Sequence, residues 1–330
     1  MRALRFDRFG GPDVLEVQEL PDPVAGEGTA VVAVRAASVN PSDLKNVAGA
    51  MEGTVLPRVP GRDFAGVVVD GPPSWRDVEV WGTGGDVGFT LDGSHAEYIR
   101  VPISALARKP EQLTFEEASA IGVNFVIGWV GAVETGRLRE GETVVVFGIS
   151  GGVGNAVAQI AKSFGARVIG VGKEAPIEGS PAEEIIEEFV FFDGSGSAEA
   201  VAEAVRAKTG GRGAELVYDA VGGVTTQAAL ASLAQRGRLI VISSVGTRHV
   251  RIDLPDFYHG EFQMLGADSR KLDASESGER LSLLTPFFER GEFRPLEVTH
   301  RFGLDEGHKA YAAMAEQVPG RVVIVPEERP

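Results

Sequence analysis

VVVFGISGGVGNAVA, residues 144–158, is an apolar run that passes through a glycine-dense turn directly into a helical pattern. Such a turn lets the backbone approach a pyrophosphate, and the following helix start offers unpaired N–H groups and the positive end of its dipole. Ala158, Ala161 and Phe164 recur on one face of the helix, as a dinucleotide site requires. The match is partial because the strict fingerprint has glycine where Ile149 stands, and a tight turn without a ligand is the alternative. We predict a phosphate site made of Ser150, Gly151, Gly152, Val153 and Gly154.

Composition restricts the class of protein. A chain of 330 residues predicts two domains at about 150 residues each. The net charge of −15 argues against nucleic-acid partners and anionic membranes. The chain has no cysteine, which excludes disulfides and thiolate zinc sites. Because no apolar stretch is long enough to span a bilayer and residues 1–7 lack a signal-peptide core, we expect a cytoplasmic protein without membrane or nucleic-acid partners.

Three segments differ in pattern. Residues 1–121 hold short β-rich runs broken by glycine and proline. Residues 122–265 alternate apolar runs with helical patterns, which is typical of a doubly wound parallel sheet in an α/β fold. The predicted strands are 143–147, 167–171, 189–192, 215–218, 238–242 and 262–265, and the predicted helices are one after Gly154, 181–188, 198–208 and 225–234. Residues 266–330, with a predicted helix at 277–290 and a closing strand at 321–325, are expected to return to the first domain.

The end of the second strand of such a sheet separates NAD from NADP. An acidic residue there binds the ribose 2′-hydroxyl of NAD, whereas a basic residue suits the 2′-phosphate of NADP. Here Gly172 stands at the strand tip and Lys173 follows, although Glu174 is adjacent and most loop lysines are simply solvated. We predict NADP(H), bound in part by Gly172 and Lys173.

Several motifs in fixed order carry a family resemblance. They are FGGPDVL (9–15), SVNPSD (38–43), LPRVPGRDFAG (56–66), GSHAEY (93–98), SGGVG (150–154), VYDAVGG (217–223) and GRVVI (320–324). Together they resemble the medium-chain dehydrogenase/reductase superfamily and, within it, the zinc-free quinone oxidoreductase and enoyl reductase branches. The resemblance covers nearly the whole chain.

The resemblance implies an architecture. A Rossmann domain over 122–265 would lie between the two parts, 1–121 and 266–330, of a GroES-like, barrel-type catalytic domain. A substrate cleft between the domains is also implied, together with a homodimer formed by edge-to-edge pairing of Rossmann sheets at strand 262–265.

Zinc is not expected. Zinc-dependent members of the superfamily bind the metal through Cys and His, and such sites are tetrahedral. The position after Pro60-Gly61 that carries the ligand His in those enzymes is Arg62, which has no lone pair to donate. The five histidines show no ligand spacing.

The resemblance implies hydride transfer from a nicotinamide to a conjugated carbonyl compound, which is a quinone, an enone or an enoyl compound. The protein then has to position the substrate, polarise its oxygen and supply a proton. Asn40 would lie near the nicotinamide and hydrogen-bond the carbonyl, or it is a turn-forming residue before Pro41. Hydroxyl groups of related enzymes are absent, because Met51 and Lys45 stand in place of tyrosines and Ile127 in place of a threonine.

The other polar candidates for catalysis are Lys45, Arg62, His95 and Asn124. Lys45 would serve as a general acid if it were buried, and is otherwise a surface residue. Arg62 would bind an oxyanion or another anionic group, or would brace its loop by pairing with Asp43 or Asp63. His95 titrates in the range that suits proton transfer, although a lone histidine is more often a satisfied core residue. Solvent is a further proton source.

The remaining predicted cofactor contacts come from the resemblance. They are Val221, Ser243 and Ser244 near the nicotinamide ribose, and Arg321, whose alternative is a surface charge at a strand end. The leading function is an NADPH-dependent, zinc-independent reductase. The alternatives are a cofactor-binding sensor or structural protein with little turnover, which the missing hydroxyl groups favour, and a metal-free alcohol dehydrogenase.

Overall fold

A computed structural model describes residues 1–327. Its contacts divide the chain into two compact units. Unit 1 consists of residues 1–123 and the segment from 269 onward, and unit 2 consists of residues 124–268. Within 1–327, no helix is long and apolar enough to cross a membrane.

The strands follow in chain order. They are β1 (Arg2–Arg5), β2 (Glu16–Glu19), β3 (Thr29–Ser38), β4 (Phe64–Asp70), β5 (Glu79–Gly82), β6 (Tyr98–Pro102), β7 (Ala107–Arg108), β8 (Thr143–Phe147), β9 (Arg167–Gly172), β10 (Glu188–Phe191), β11 (Ala214–Asp219), β12 (Leu233–Val241), β13 (Gln263–Gly266), β14 (Val298–Phe302) and β15 (Arg321–Ile324).

The α-helices are α1 (Pro41–Val47), α2 (Phe115–Ser119), α3 (Gly122–Trp129), α4 (Gly152–Ser163), α5 (Pro181–Ile185), α6 (Ala198–Lys208), α7 (Thr226–Ala231), α8 (Leu254–His259), α9 (Ala274–Glu289) and α10 (Gly307–Ala315). A π-helical segment, Val130–Thr135, follows α3 directly.

Unit 2 is built on the doubly wound parallel sheet that the alternating pattern predicts. Its strand order is β10-β9-β8-β11-β12-β13, and every neighbouring pair is parallel. The central strand β8 is buried along its whole length, as expected for a parallel sheet covered on both faces. β13 is an edge strand.

Two predicted helices of unit 2 are too long. The helix predicted over 181–188 ends at Ile185, because the chain from Glu188 pairs with β9 as β10. The helix predicted over 225–234 ends at Ala231, since Leu233 already pairs with Ala214 of β11. In both places strand pairing within the sheet outweighs the local helical pattern.

Unit 1 joins the two parts of the chain that flank unit 2 in one sheet, and β1 and β2 form a separate two-stranded sheet. The path of the larger sheet is β14-β15-β3-β4-β5-β7, with β6 also paired to β3, and β15 joins β3 in antiparallel register through Val323 and Ser38. The sequence patterns missed β14 and α10, which pack within the same unit.

Candidate functional site

The glycine turn, residues 148–154, lies at the carboxyl end of the central strand β8. Gly148 has a φ of +77°, which side-chain-bearing residues rarely adopt. A Cβ at residue 154 would overlap the Gly148 carbonyl oxygen, so that α4 packs this closely on the strand only with glycine there. The turn therefore needs glycine at both of these positions.

The start of α4 is open to an anion. Its N-cap residue, Gly151, supplies no side-chain hydrogen bond, and the first turn contains no acidic residue. The first N–H groups of a helix lack partners inside the helix, and they carry its positive dipole end. Gly151 is exposed and Gly152 is half-buried, so these groups are accessible. The arrangement fits a pyrophosphate.

The predicted residues at the end of β9 lie beside this turn. Ser150 Oγ donates to the carbonyl oxygen of Glu174 at 2.8 Å, and the Gly148 N–H donates to the Val171 carbonyl oxygen at 2.9 Å. Lys173, which lies between Val171 and Glu174 in the sequence, is exposed. The turn and the strand tip that was predicted to select the cofactor are thus hydrogen-bonded to each other.

Val221, Ser243 and Ser244 also gather at this edge. A Cβ on Gly148 would lie 2.8 Å from Val221 Cγ2. The Val224 N–H donates to the Val245 carbonyl oxygen at 3.1 Å, which ties the loop after β11 to the loop after β12. All cofactor residues predicted in unit 2 therefore lie at the carboxyl ends of β8, β9, β11 and β12.

Asn124 belongs to unit 2 and lies against the glycine turn. A Cβ on Gly152 would lie 2.8 Å from Asn124 Nδ2. The side chain is buried. The structure groups this predicted catalytic residue with the phosphate turn, in a different unit from Asn40.

Unit 1 contains a buried polar group, the Asn40 cluster, made of Ser38, Asn40, Asp43, Asp63 and Arg321. Asn40 Nδ2 donates to Asp63 Oδ2 at 2.9 Å and to Ser38 Oγ at 3.2 Å. Asn40 Oδ1 accepts from Arg321 Nη2 at 2.6 Å. An arginine only donates and an ionised carboxylate only accepts, so these neighbours fix the orientation of the amide. Both N–H groups expected to meet a substrate are used within the cluster.

Arg321 is not the surface charge considered as its alternative. It opens β15 with 5% of its surface exposed, and its Nε has no hydrogen-bond partner among the described residues. Burial lowers the pKa of Arg321, while Asp63 and Asp43 act in the opposite direction. The residue predicted to contact the cofactor is grouped in unit 1 with Asn40.

Asp43 and Asp63 are central to the cluster but were not predicted as site residues. Asp63 Oδ1 accepts from the Val123 N–H at 3.0 Å, and Asp43 Oδ2 accepts from the Asn40 N–H at 2.8 Å. Burial raises the pKa of Asp43 to about 7, with Asp63 as a further cause. A capping-box spacing from Asn40 to Asp43 was visible in the sequence, whereas nothing local marks Asp63.

His95 is a satisfied core residue. Its Nε2 lies 3.1 Å from the Ser38 carbonyl oxygen and its Nδ1 lies 3.0 Å from Tyr311 Oη. A carbonyl only accepts, so Nε2 carries the proton and Tyr311 donates to Nδ1. Burial lowers the pKa of His95 to about 4. The expectation that it titrates near neutral pH is wrong, because burial keeps the imidazole uncharged.

Arg62 is buried and holds the segment in which the chain returns to unit 1. Its Nε donates to the Gly84 carbonyl oxygen at 2.8 Å, and its Nη2 donates to the Ser269 carbonyl oxygen at 3.2 Å. Both terminal nitrogens also lie 3.3 Å from Ser269 Oγ. Arg62 therefore braces the fold. The alternative given above expected a bracing pair with Asp43 or Asp63, whereas these hydrogen bonds go to Gly84 and Ser269.

Lys45 lies exposed on α1. The burial on which its role as a general acid depended is not present. The structure thus does not meet the condition for Lys45 as a general acid, and it agrees with the alternative of a surface lysine.

The described residues contain no cluster of zinc-type ligands. The chain has no cysteine, and no group of three or more His, Asp or Glu side chains within residues 1–327 is arranged to hold a metal. Arg62, at the position where zinc enzymes carry a ligand, instead donates hydrogen bonds to Gly84 and Ser269.

Two family models match the chain. Residues 26–111 match the alcohol dehydrogenase GroES-like domain, and residues 152–283 match the model described as zinc-binding dehydrogenase. A zinc-type alcohol dehydrogenase-like protein of Schizosaccharomyces pombe is 32% identical over 98% of this chain and 97% of its own length. A quinone oxidoreductase of Pongo abelii is 28% identical over 90% of this chain and 88% of its own.

Solved structures agree with these matches. One described as an NAD-dependent alcohol dehydrogenase has a TM-score of 0.86 and 29% identity, and covers 98% of this chain and 99% of its own. A mycobacterial protein complexed with NADPH has a TM-score of 0.83 and 26% identity, with coverage of 99% and 100%. The similarity therefore extends over both units and over whole relatives.

Proposed function

Because the chain belongs to the medium-chain dehydrogenase/reductase superfamily as a quinone oxidoreductase-like oxidoreductase, we propose that it is an NADP(H)-dependent, zinc-independent reductase of conjugated carbonyl compounds. The observation that carries the proposal is the glycine turn, which is open to an anion at the start of α4 and hydrogen-bonded to Val171 and Glu174, the residues that flank Gly172 and Lys173. Quinones and enones are the proposed substrates. The quinone oxidoreductase relative of Pongo abelii supports the quinone part of this class.

The binding roles follow from the carboxyl edge of the unit 2 sheet. The N–H groups at Gly152 and Val153 hold the pyrophosphate, since they are at the uncapped helix start. Lys173 takes the 2′-phosphate, because Gly172 leaves no carboxylate at the tip. NADPH, when bound, supplies the hydride. The two similar structures differ in the cofactor that their descriptions name, so the preference for NADP(H) rests on Gly172 and Lys173.

The proton comes from solvent in this proposal. Asn40 uses both amide N–H groups inside its cluster, and His95 is held neutral and fully enclosed. Arg62 is committed to Gly84 and Ser269. Asn40 then acts by ordering the cluster of which it is the centre. A solvent proton source predicts a pH profile of kcat without a limb that depends on His95.

Turnover of purified, chelator-treated protein tests the function. Oxidation of NADPH is followed with a panel of quinones and enones, and NADH is run in parallel. We expect turnover with at least one quinone and a lower KM for NADPH than for NADH. Absence of turnover with every member, or activity that returns only with added zinc, would contradict the proposal.

A second part of the proposal is a homodimer formed at β13. This edge strand carries no charged residue or proline, and Met264 on it is 38% exposed. Unprotected edges of this kind pair readily with another chain. Analytical ultracentrifugation should give a dimer mass for the protein and a lower mass for M264K. A monomer mass for both would contradict the dimer.

A further inference from the structure

A concave pocket of about 590 Å³ lies wholly within unit 1. Its walls come from the β1–β2 region, the loop around Pro57, the Leu91–Gly93 turn and the start of β6. Its volume falls in the range of small-molecule sites. Among its lining residues there is no member of the Asn40 cluster, nor His95 or Arg62. The pocket is therefore separate from the groups discussed above.

Three arginines line this pocket in a chain whose net charge is −15. They are Arg5, Arg58 and Arg100, and the acidic lining residues are Asp22 and Asp92. Asp22 Oδ1 lies 2.5 Å from the Met1 nitrogen. The lining side chains thus have more arginines than carboxylates, the reverse of the balance of the whole chain.

Arg58 is the best-placed anchor. Its side chain is 11% exposed, its Nη1 donates to Asp92 Oδ1 at 2.8 Å and its Nε donates to the Val55 carbonyl oxygen at 3.0 Å. Its Nη2 has no hydrogen-bond partner among the described residues. Two of its nitrogens are therefore held in place while the third remains available, which preorganises a donor for an anion.

Further donors surround Arg58. Within residues 1–327 neither the Arg100 guanidinium nor the Tyr98 hydroxyl has a hydrogen-bond partner. Arg5 pairs through Nε with Asp7 at 3.3 Å, and its two terminal nitrogens make no hydrogen bond within the described residues. Hydrogen bonds from arginine to a carboxylate or phosphate are among the stronger ones in proteins.

The rest of the wall is apolar and partly open to solvent. Val24 is 69% exposed and Leu91 is 38% exposed, and Pro21 and Pro57 are exposed beside them. Grouped apolar side chains at a concave surface mark a binding site more often than single ones do. An apolar rim beside cationic donors suits a ligand that carries both an anionic group and an apolar part.

We propose that this pocket binds a small amphiphilic anion, a carboxylate or phosphate carried on an apolar body, with Arg58 as the anchor and Arg100 and Tyr98 as additional donors. The apolar body lies against Val24, Leu91 and the prolines. The site is independent of the proposed reductase reaction.

Calorimetric titration of the full chain tests the site with octanoate, octyl phosphate, inorganic phosphate and uncharged octanol. We expect octanoate or octyl phosphate to bind at least tenfold more tightly than octanol and than inorganic phosphate. The stronger of the two amphiphiles identifies the head group. Equal binding of octanol would contradict the anion site, and equal binding of inorganic phosphate would contradict the apolar half.

Variants separate this pocket from general charge effects. R100M and R58M should each weaken binding at least tenfold, and Y98F should weaken it by a smaller factor. R8M is the matched control, because Arg8 is exposed in the same unit but does not line the pocket; its affinity should stay within twofold. Because R58M also breaks the pair with Asp92, R100M decides the result if R58M fails to fold. Unchanged affinity in R100M and Y98F would overturn the proposal.

Discussion

The carboxyl edge of the unit 2 sheet and the Asn40 cluster of unit 1 hold their polar groups in opposite ways. At the edge, the backbone of residues 148–154 forms the open donor set, and side chains are mostly absent. In the cluster, side chains from β3, α1, β15 and the residue before β4 bond mainly to one another inside the core, while Arg321 Nε and Asp43 Oδ1 have no hydrogen-bond partner among the described residues. A backbone site of this kind stays open to a ligand, whereas the side-chain cluster uses most of its donors internally.

Substitution at Gly154 should have the largest effect on this comparison. In G154A the added Cβ overlaps the Gly148 carbonyl oxygen, so the turn has to shift. We expect NADPH to bind about 100-fold more weakly, measured by quenching of protein fluorescence, which corresponds to about 2.7 kcal/mol. G151A is the control, since its Cβ meets only the Gly148 oxygen at 3.3 Å. Equal losses in both variants would contradict the role of the close packing.

Loss of Arg321 should break the cluster. R321M leaves Asn40 Oδ1 without its donor and leaves Asp63 buried without the nearby positive charge. We expect the free energy of unfolding to fall by about 3 kcal/mol in urea titrations. R301M on the neighbouring β14 is the control, because Arg301 is 56% exposed and should cost less than about 1 kcal/mol. A loss of NADPH affinity in R321M with unchanged stability would return Arg321 to the cofactor site.

Substitution of Lys173, the exposed side chain after β9, should have a smaller effect than the changes at Gly154 and Arg321. K173E should weaken NADPH binding about tenfold, or about 1.4 kcal/mol, and leave NADH binding within about twofold. K162E, at the exposed far end of α4, makes the same change of charge away from the strand tip. If K173E weakened both cofactors equally, Lys173 would not distinguish the 2′-phosphate.

The pH dependence of stability tests the interior of the cluster. The pKa of Asp43 is raised to about 7, so its protonated form stabilises the fold below the ordinary pKa near 4, and this contribution is lost as pH rises towards 7. His95 acts with the opposite sign, since its pKa is lowered to about 4 and its contribution is lost as pH falls from 6.5 to 4. In D43N the decrease in Tm between pH 5 and 8 should shrink by about 3 °C. An unchanged slope would contradict the buried carboxyl.

Sequence reasoning succeeded where the information is local. The strand Thr143–Phe147 was predicted with its observed bounds, and the glycine turn was located from the same stretch. It was weaker where the partner is far along the chain. Asn40 and Arg321 are 281 residues apart, and the hydrogen bond between them depends on β15 joining β3. Burial was equally hard to predict for single residues. No local pattern shows that His95 is enclosed or that Lys45 is exposed.

The path of the chain through the two units determines the order in which they can fold during synthesis. All six strands of the parallel sheet lie between residues 143 and 266, whereas the antiparallel sheet of unit 1 waits for β14 and β15 at 298–324. On the ribosome, where domains fold as units while the chain emerges, the middle unit can be completed first and the amino-terminal one last. A chain that stops before Val298 would have a finished parallel sheet and an incomplete antiparallel one, so nonsense mutations late in the reading frame would damage the amino-terminal unit.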